Sequence, residues 1–289
     1  MSAAGSSAAQ AMTPATPRTG WHDLPPAVRA AIEAHTGTVH HAETITTGLN
    51  ATFTARLLTD TGPVFAKGVP SARAAAQRRE ALINPHAHPI APRLHWHIDT
   101  AGWHVLGFEH LDGHPADLSP HSPDLPAVAR MLAQLTDLTP PPTGCRRIED
   151  PWADAGEQAG TDATLLAGNH LSHTDLNPHN ILITNHGARL VDWSWPTLNA
   201  PWIDTACTAL WLIAEGHTPT DAENWAAAIP TWTTATPPTL DAFAAINAAL
   251  WTQIAATDPR PWKLRLRTAA TSWAQHRTGR SAKVGTETT

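Results

Sequence analysis

The sequence predicts an α+β protein built as two lobes, and three observations carry that expectation. Short segments alternating in hydrophobicity crowd the first third of the chain, with one helical pattern among them. Helical patterns fill most of the remainder, separated by proline pairs. Between them, from Leu171 to Trp195, a polar loop runs directly into an apolar hairpin. Strands followed by helices, rather than strict alternation of the two, point away from a parallel sheet. At 289 residues the chain is long enough for two cores.

Composition narrows the class. Hydrophobic residues make up 42%, which is globular rather than disordered. A formal charge of −6 argues against a general nucleic-acid binder, which would carry a basic face. Cys145 and Cys207 match no metal spacing; a disulfide between them stays open, but nothing suggests a secreted scaffold. No apolar run reaches membrane-spanning length, and the first twenty residues lack the basic start and apolar core of a signal peptide. The expected location is cytoplasmic, with no membrane partner. Lys67, Lys263 and Lys283 are the only lysines, so a centrally placed one is informative.

Each element has a local reason. Residues 1–20 are small and polar and cannot bury enough to order themselves, which predicts a flexible arm. Asp23 or Leu24 caps the first helix, with proline in its first turn, and the pattern runs to about Ala34, before Gly37. Val39 to Arg56 reads as two strands around Thr46-Thr47-Gly48-Leu49-Asn50. Thr54 to Leu58 and Val64 to Lys67 pair around the Asp60-Thr61-Gly62 turn, with Lys67 ending its strand. Ser71 caps a helix to Ile83, ended by Asn84-Pro85. Glu80 lies on it among Arg73, Gln77, Arg78 and Arg79, a set that suits a solvated ionic face. Leu94 to Ile98 and Trp103 to Phe108 are strands, followed by Glu109-His110-Leu111-Asp112-Gly113. His95 and His97 share one strand face, as a zinc site would use, but no third ligand has a fitting spacing.

Past a proline-rich joint at 120–126, Val128, Met131, Leu132, Leu135 and Leu138 recur at helical spacing within Leu125 to Leu138. Asp154 to Leu166 reads as a helix leading into the hairpin. Beyond the hairpin, Pro201 to Ile213, Thr220 to Ile229, Leu240 to Ala256 and Pro261 to His276 are helical, and the chain after Gly279 reads as frayed.

The hairpin holds the chemistry. His173-Thr174-Asp175-Leu176-Asn177-Pro178-His179-Asn180 precedes the strand Ile181-Leu182-Ile183; a turn at Asn185-His186-Gly187 follows, and Leu190-Val191 runs straight into Asp192. The two ends of an antiparallel hairpin lie side by side, so Asp175, Asn180 and Asp192 are expected to converge. Two carboxylates and a carboxamide suit a hard divalent cation carrying a polyphosphate, since Mg²⁺ prefers such oxygens. Asp192 and Asn180 are the natural metal ligands, and Asp175 can face an acceptor hydroxyl and take its proton.

The run H-x-D-L-x-P-x-N-I-L, followed by a hydrophobic-Asp pair, resembles the catalytic segment of the aminoglycoside phosphotransferase and choline kinase group. These are small-molecule kinases with the protein-kinase fold. The likeness extends from about Trp21 to His276 and is strongest at Gln77–Glu80, Trp103–Gly113 and His173–Asp204. Thr174 stands where many of that group carry glycine, and threonine asks for ordinary φ in a tight loop. Trp193-Ser194 follows Asp192 where protein kinases carry Phe-Gly.

The resemblance implies a two-lobed protein-kinase-like fold, with a small β-rich N-terminal lobe, a larger helical C-terminal lobe and nucleotide in the cleft. The divisions would be the arm at 1–20, a nucleotide-binding lobe at 21–109, a catalytic and substrate lobe at 110–279 and a flexible tail at 280–289. It implies transfer of the γ-phosphoryl group of ATP or GTP, with Mg²⁺, to a hydroxyl of a small substrate such as an aminoglycoside, another antibiotic, an amino alcohol or a sugar. Lys67 resembles the strand lysine that holds the α- and β-phosphates, and Glu80 the helix glutamate that pairs with it. By likeness, the Glu109 carbonyl and the Leu111 amide hold adenine. His173 is expected to shape the catalytic loop. Asp204 resembles a second aspartate of the group and is expected to cap backbone amides or brace that loop. Trp193 and Trp195 flank Asp192 closely enough to line an acceptor pocket. A glycine-poor loop around Gly48, together with Thr174, leaves a second reading: a catalytically inactive kinase-like protein that senses nucleotide or binds a ligand.

Overall fold

The computed structural model describes residues 18–46 and 51–287, with side chains through Gly279. Residues 1–17 of the expected arm, 47–50 of the glycine-poor loop and 288–289 of the expected tail lie outside the described residues. The chain divides into two compact units. One runs to Gly113 and takes back Arg189–Ser194; the other comprises His114–Ala188 and the chain from Trp195 onward.

In the first unit a 3-10 turn at Trp21–Asp23 leads into α1 (Pro26–Thr36), then β1 (Val39–Thr44), β2 (Phe53–Thr59), β3 (Gly62–Pro70), α2 (Ala75–Ala87), β4 (Leu94–Thr100) and β5 (Trp103–Glu109). The five strands form one antiparallel sheet in the order β1-β2-β3-β5-β4. Period-two alternation sorts the side chains. Phe53, Ala55 and Leu57 of β2 and Val64 and Ala66 of β3 bury with Trp96, Ile98 and Val105 against Leu24, Val28 and Ile32. Lys67 falls on the opposite face, paired in register with Thr54. Gly107 permits this packing, because a Cβ there would come within 2.1 Å of the Trp96 ring.

Several boundaries differ from the sequence reading. Pro25, not Asp23 or Leu24, occupies the cap of α1; the Asp23 carboxylate instead accepts from the Gly20 amide in the preceding turn. β3 continues past Lys67 to Pro70, because β5 keeps pairing with it as far as Trp103. Lys67 therefore sits within the strand, not at its end. α2 begins at Ala75, after a 3-10 turn at Ser71–Arg73, and runs past Pro85. Asn84 explains the continuation: it is buried, and its amide bonds the Pro92 carbonyl at 2.7 Å and the Leu94 N–H at 2.8 Å, holding the exiting chain against the helix. Of the expected arm, Arg18 donates to the Ala51 carbonyl and to Thr54 Oγ1 at 3.2 Å, and Thr19 N–H to the Thr52 carbonyl at 2.8 Å.

The second unit begins at His114, within β6 (Gly113–Pro115), and continues through α3 (Leu125–Leu135), β7 (Arg146–Arg147), α4 (Glu149–Ala159), β8 (His170–Ser172), β9 (Ile181–Thr184), β10 (Gly187–Leu190), β11 (Thr197–Asn199), α5 (Ile203–Ala214), α6 (Pro219–Ala226), α7 (Pro237–Thr257) and α8 (Pro261–Glu287). The last residues of β10 already belong to the first unit. Short strands make two small sheets, β10-β9-β6 and β7-β11-β8. Phe243 of α7 centres the helical core, with Trp152, Trp202 and Trp273 at ring distances of 5.8, 5.7 and 5.6 Å. α4 starts earlier than expected and stops at Gly160, which turns left-handed at φ +66°; Ala163–Leu166 is a separate 3-10 turn capped by Asp162. α8 continues beyond His276 to Glu287. Both cysteines are free. Among the described residues no helix is long and apolar enough to cross a membrane.

Candidate active site

Strand alternation delivers Lys67 to the sheet face away from the α1 core. Its side chain is 9% exposed, and a buried ammonium needs partners. Nζ lies 2.5 Å from Glu80 Oε2 and 2.9 Å from Asp192 Oδ1. Glu80 faces inward on α2 and is buried, so it does not belong to the solvated ionic face that its arginine neighbours suggested. Burial alone would depress the Lys67 ammonium, but the Asp192 and Glu80 carboxylates outweigh it and hold the group above its ordinary value. Burial also pushes the Glu80 carboxyl up to about 7, with Lys67 pulling against the rise and Asp192 adding to it. Asp192 stands in the left-handed region at φ +66°, which aspartate tolerates better than most residues. Ser194 Oγ donates to Asp192 Oδ1 at 2.6 Å and lies 3.4 Å from Glu80 Oε2.

A second group forms around the loop after β8. Asp204, buried in the first turn of α5, accepts from the backbone N–H groups of His173 at 3.0 Å and Thr174 at 2.8 Å. Those donors lie in the loop after β8, so the Asp204 side chain ties that loop to the first turn of α5. Burial pushes the Asp204 carboxyl upward, and the two amides pull it back. Ordinary φ at Thr174 is not what the loop adopts: Thr174 sits at +66°, an outlier for a β-branched residue. Asp204 grips its N–H, and its Oγ1 donates to the His173 carbonyl at 2.7 Å.

Downstream, the Asp175 N–H donates to His173 Nδ1 at 3.2 Å, so a neutral His173 ring carries its proton on Nε2. Asp175 itself is exposed. Its carboxylate accepts from Asn177 Nδ2 at 3.0 Å and Asn180 Nδ2 at 3.1 Å, and Asn180 Nδ2 also reaches the Asp175 carbonyl at 2.9 Å. With its N–H groups spent on Asp175, Asn180 offers Oδ1 to any further partner. Asn177 escaped the sequence reading. It caps the 3-10 turn Pro178–Asn180 by accepting from His179 N–H at 3.0 Å, and Asn-Pro as a turn starter is the signal that could have found it.

Glu109 ends β5, its N–H donating to the Arg93 carbonyl at 2.8 Å and its carboxylate accepting from the Arg93 N–H at 3.1 Å; half-buried Leu111 follows. Trp193 does not line a pocket: it is 2% exposed, and its indole N–H donates to the Leu190 carbonyl at 3.0 Å. Trp195 is exposed, with the Arg146 guanidinium 4.7 Å over its ring. His95 and His97 are exposed on β4, and among the described residues no group of three or more His, Cys, Asp or Glu is placed to hold a metal. Lys67, Glu80 and Asp192 thus meet within the first unit, and His173, Asp175, Asn180 and Asp204 within the second.

No protein-family model matches the sequence, and no curated protein matches it. Solved structures do match in fold. A thermostable mutant of aminoglycoside phosphotransferase APH(4)-Ia, in ternary complex with ADP and hygromycin B, superposes with a TM-score of 0.59 at 14% identity, covering 86% of this chain and 99% of that one. Plasmodium vivax ethanolamine kinase gives a TM-score of 0.56 at 11% identity, covering 84% and 85%. A choline/ethanolamine kinase family protein from Mesorhizobium loti gives 0.51 at 18% identity, covering 88% and 93%. At these identities the likeness is one of fold: the chain has the α+β kinase-like fold that these small-molecule kinases share.

Proposed function

We propose that the protein is a small-molecule kinase, working in the cytoplasm, that moves the γ-phosphoryl group of ATP or GTP to a hydroxyl of a small alcohol. The observation that carries this reading is the cluster at Lys67. Three residues distant in sequence, each singled out by type and position, meet there as one lysine between two carboxylates. A purely structural ion pair needs one carboxylate. A second leaves excess negative charge in a partly dry place, which is costly. That cost has a purpose where a cation-bound polyphosphate is to be received.

The residues take the following roles in this reading. Lys67, its rotamer fixed by Glu80, holds the α- and β-phosphates. Asp192 and the Oδ1 of Asn180 are hard oxygen donors and would hold Mg²⁺, which takes one or two protein carboxylates and completes its shell with phosphates and water. When bound, Mg²⁺ supplies neutralisation of charge on the β- and γ-phosphates. Asp175 accepts the proton of the acceptor hydroxyl, its carboxylate plane held by Asn177 and Asn180. His173 and Asp204 keep its loop in place. The Glu109 carbonyl and the Leu111 amide hold the base. Fold neighbours that act on ethanolamine or bind hygromycin B support a hydroxyl-bearing, amine-rich acceptor.

The test is release of ADP or GDP from Mg²⁺–ATP and Mg²⁺–GTP over a panel of aminoglycosides, amino alcohols and sugars. The reading expects release that depends on one acceptor class and collapses in Asp175→Asn. Nucleotide binding with no release on any acceptor would favour a ligand-binding protein instead.

A further inference from the structure

We infer that Ser194 is a positioning residue of this site: its hydroxyl orients the Asp192 carboxylate, and its carbonyl, accepting from Arg79, anchors it to α2. The inference rests on the kinase reading above. Four polar atoms close a ring. Lys67 Nζ contacts Glu80 Oε2 at 2.5 Å and Asp192 Oδ1 at 2.9 Å; Ser194 Oγ contacts the same Asp192 oxygen at 2.6 Å and the same Glu80 oxygen at 3.4 Å. A hydroxyl has one proton to give, and the shorter, charge-assisted contact to Asp192 takes it. Ser194 is 1% exposed, so water has no access to replace it. The Ser194 carbonyl accepts from Arg79 Nε at 3.4 Å. Two successive residues of α2, Arg79 and Glu80, therefore reach Ser194.

Asp192 needs a second anchor. It stands at φ +66°, outside a regular element, and Lys67 is a compact charge on a flexible stem. When phosphates arrive, Lys67 must turn part of its donor capacity toward them. The Ser194 hydroxyl is a donor that stays on Asp192. A glycine at this position could not do this, so the departure from the Phe-Gly pattern of protein kinases has a use.

Calorimetric titration separates positioning from packing. ATP and GTP are titrated with and without Mg²⁺ into the wild type, Ser194→Ala and Ser194→Thr, with thermal melts as a check of folding. Loss of a hydrogen bond to a charged group should raise the dissociation constant of the Mg²⁺-loaded nucleotide about tenfold in Ser194→Ala. The metal-free constant should stay within about twofold, and Ser194→Thr should restore the loaded one. Added to Asp192→Ala, Ser194→Ala should change nothing further, because its effect passes through that carboxylate. Equal binding in the wild type and Ser194→Ala, or a loss that ignores the metal, overturns the inference. If Ser194→Thr does not fold, the cycle with Asp192→Ala decides. If the wild type itself shows no metal-dependent nucleotide binding, the kinase reading falls and takes this inference with it; the wild-type titration thus distinguishes the two failures.

Discussion

Replacing Asp204 with alanine removes the side chain that holds the backbone just before Asp175. Two N–H groups, of His173 and Thr174, donate to its carboxylate at 3.0 and 2.8 Å. A buried donor left unsatisfied costs about 1–3 kcal/mol, so two cost about 2–6 kcal/mol. Against this stands the desolvated carboxylate, whose removal returns part of the loss, giving a net destabilisation of about 3 kcal/mol. For a chain of this size that lowers the melting midpoint by roughly 6–12 °C. A second effect acts at Thr174. Its left-handed conformation costs about 1–2 kcal/mol for an L-residue. Without Asp204 the loop relaxes toward ordinary φ and carries Asp175 with it, so turnover should fall as it does on losing Asp175. Thr174→Gly, added to Asp204→Ala, should recover part of the stability, because glycine takes positive φ without penalty. Asp204→Asn keeps an acceptor and should lie between wild type and alanine. The assay is thermal unfolding of the four proteins in one buffer, alongside steady-state turnover. An Asp204→Ala midpoint within about 2 °C of wild type, or no recovery from Thr174→Gly, would refute the bracing argument.

Two further predictions concern titratable groups. Asp175→Asn should lower turnover by ~10²–10⁴-fold while leaving nucleotide affinity nearly intact; full turnover in that variant removes Asp175 as the base. For Glu80 the folded-state value of about 7 lies above the ordinary 4.5, so the folded protein binds a proton that the unfolded chain has released. That contribution to stability is fully present below about 4.5 and is lost as pH rises through about 7. Melts of wild type and Glu80→Gln compared from about pH 5 to pH 8 should show the wild-type advantage shrinking, and a difference independent of pH contradicts the assignment.

The sheet is legible in the sequence because alternation and the Asp60-Thr61-Gly62 turn are local signals. Lys67 and Asp192 are legible through motif spacing. The pairing of Glu80 with Lys67 is legible through the resemblance alone: locally, Arg73, Arg78 and Arg79 argue for a solvated face, whereas α2 packs on β4 and β5 and Glu80 is buried. Thr174 misleads for a similar reason. Its side chain asks for ordinary φ, and the acceptor that overrides this is Asp204, on a later helix with no local trace. Pro85 reads as a helix stop, yet Asn84 side-chain bonds hold the exit and the helix continues. The two-residue strand β7 forms only because β11 offers it an edge. Trp193 reads as a pocket wall because it adjoins Asp192, but its indole N–H finds a carbonyl inside the core.

The most direct test of the central claim is thermal unfolding of the wild type with ATP or GTP, each with and without Mg²⁺, because it needs no knowledge of the acceptor. A ligand at about a hundred times its dissociation constant adds ~2.7 kcal/mol of stability. The account predicts a clear Mg²⁺-dependent rise with at least one nucleotide, and its absence in Asp192→Ala. No rise with either nucleotide would contradict the claim that Lys67 and Asp192 form a nucleotide site.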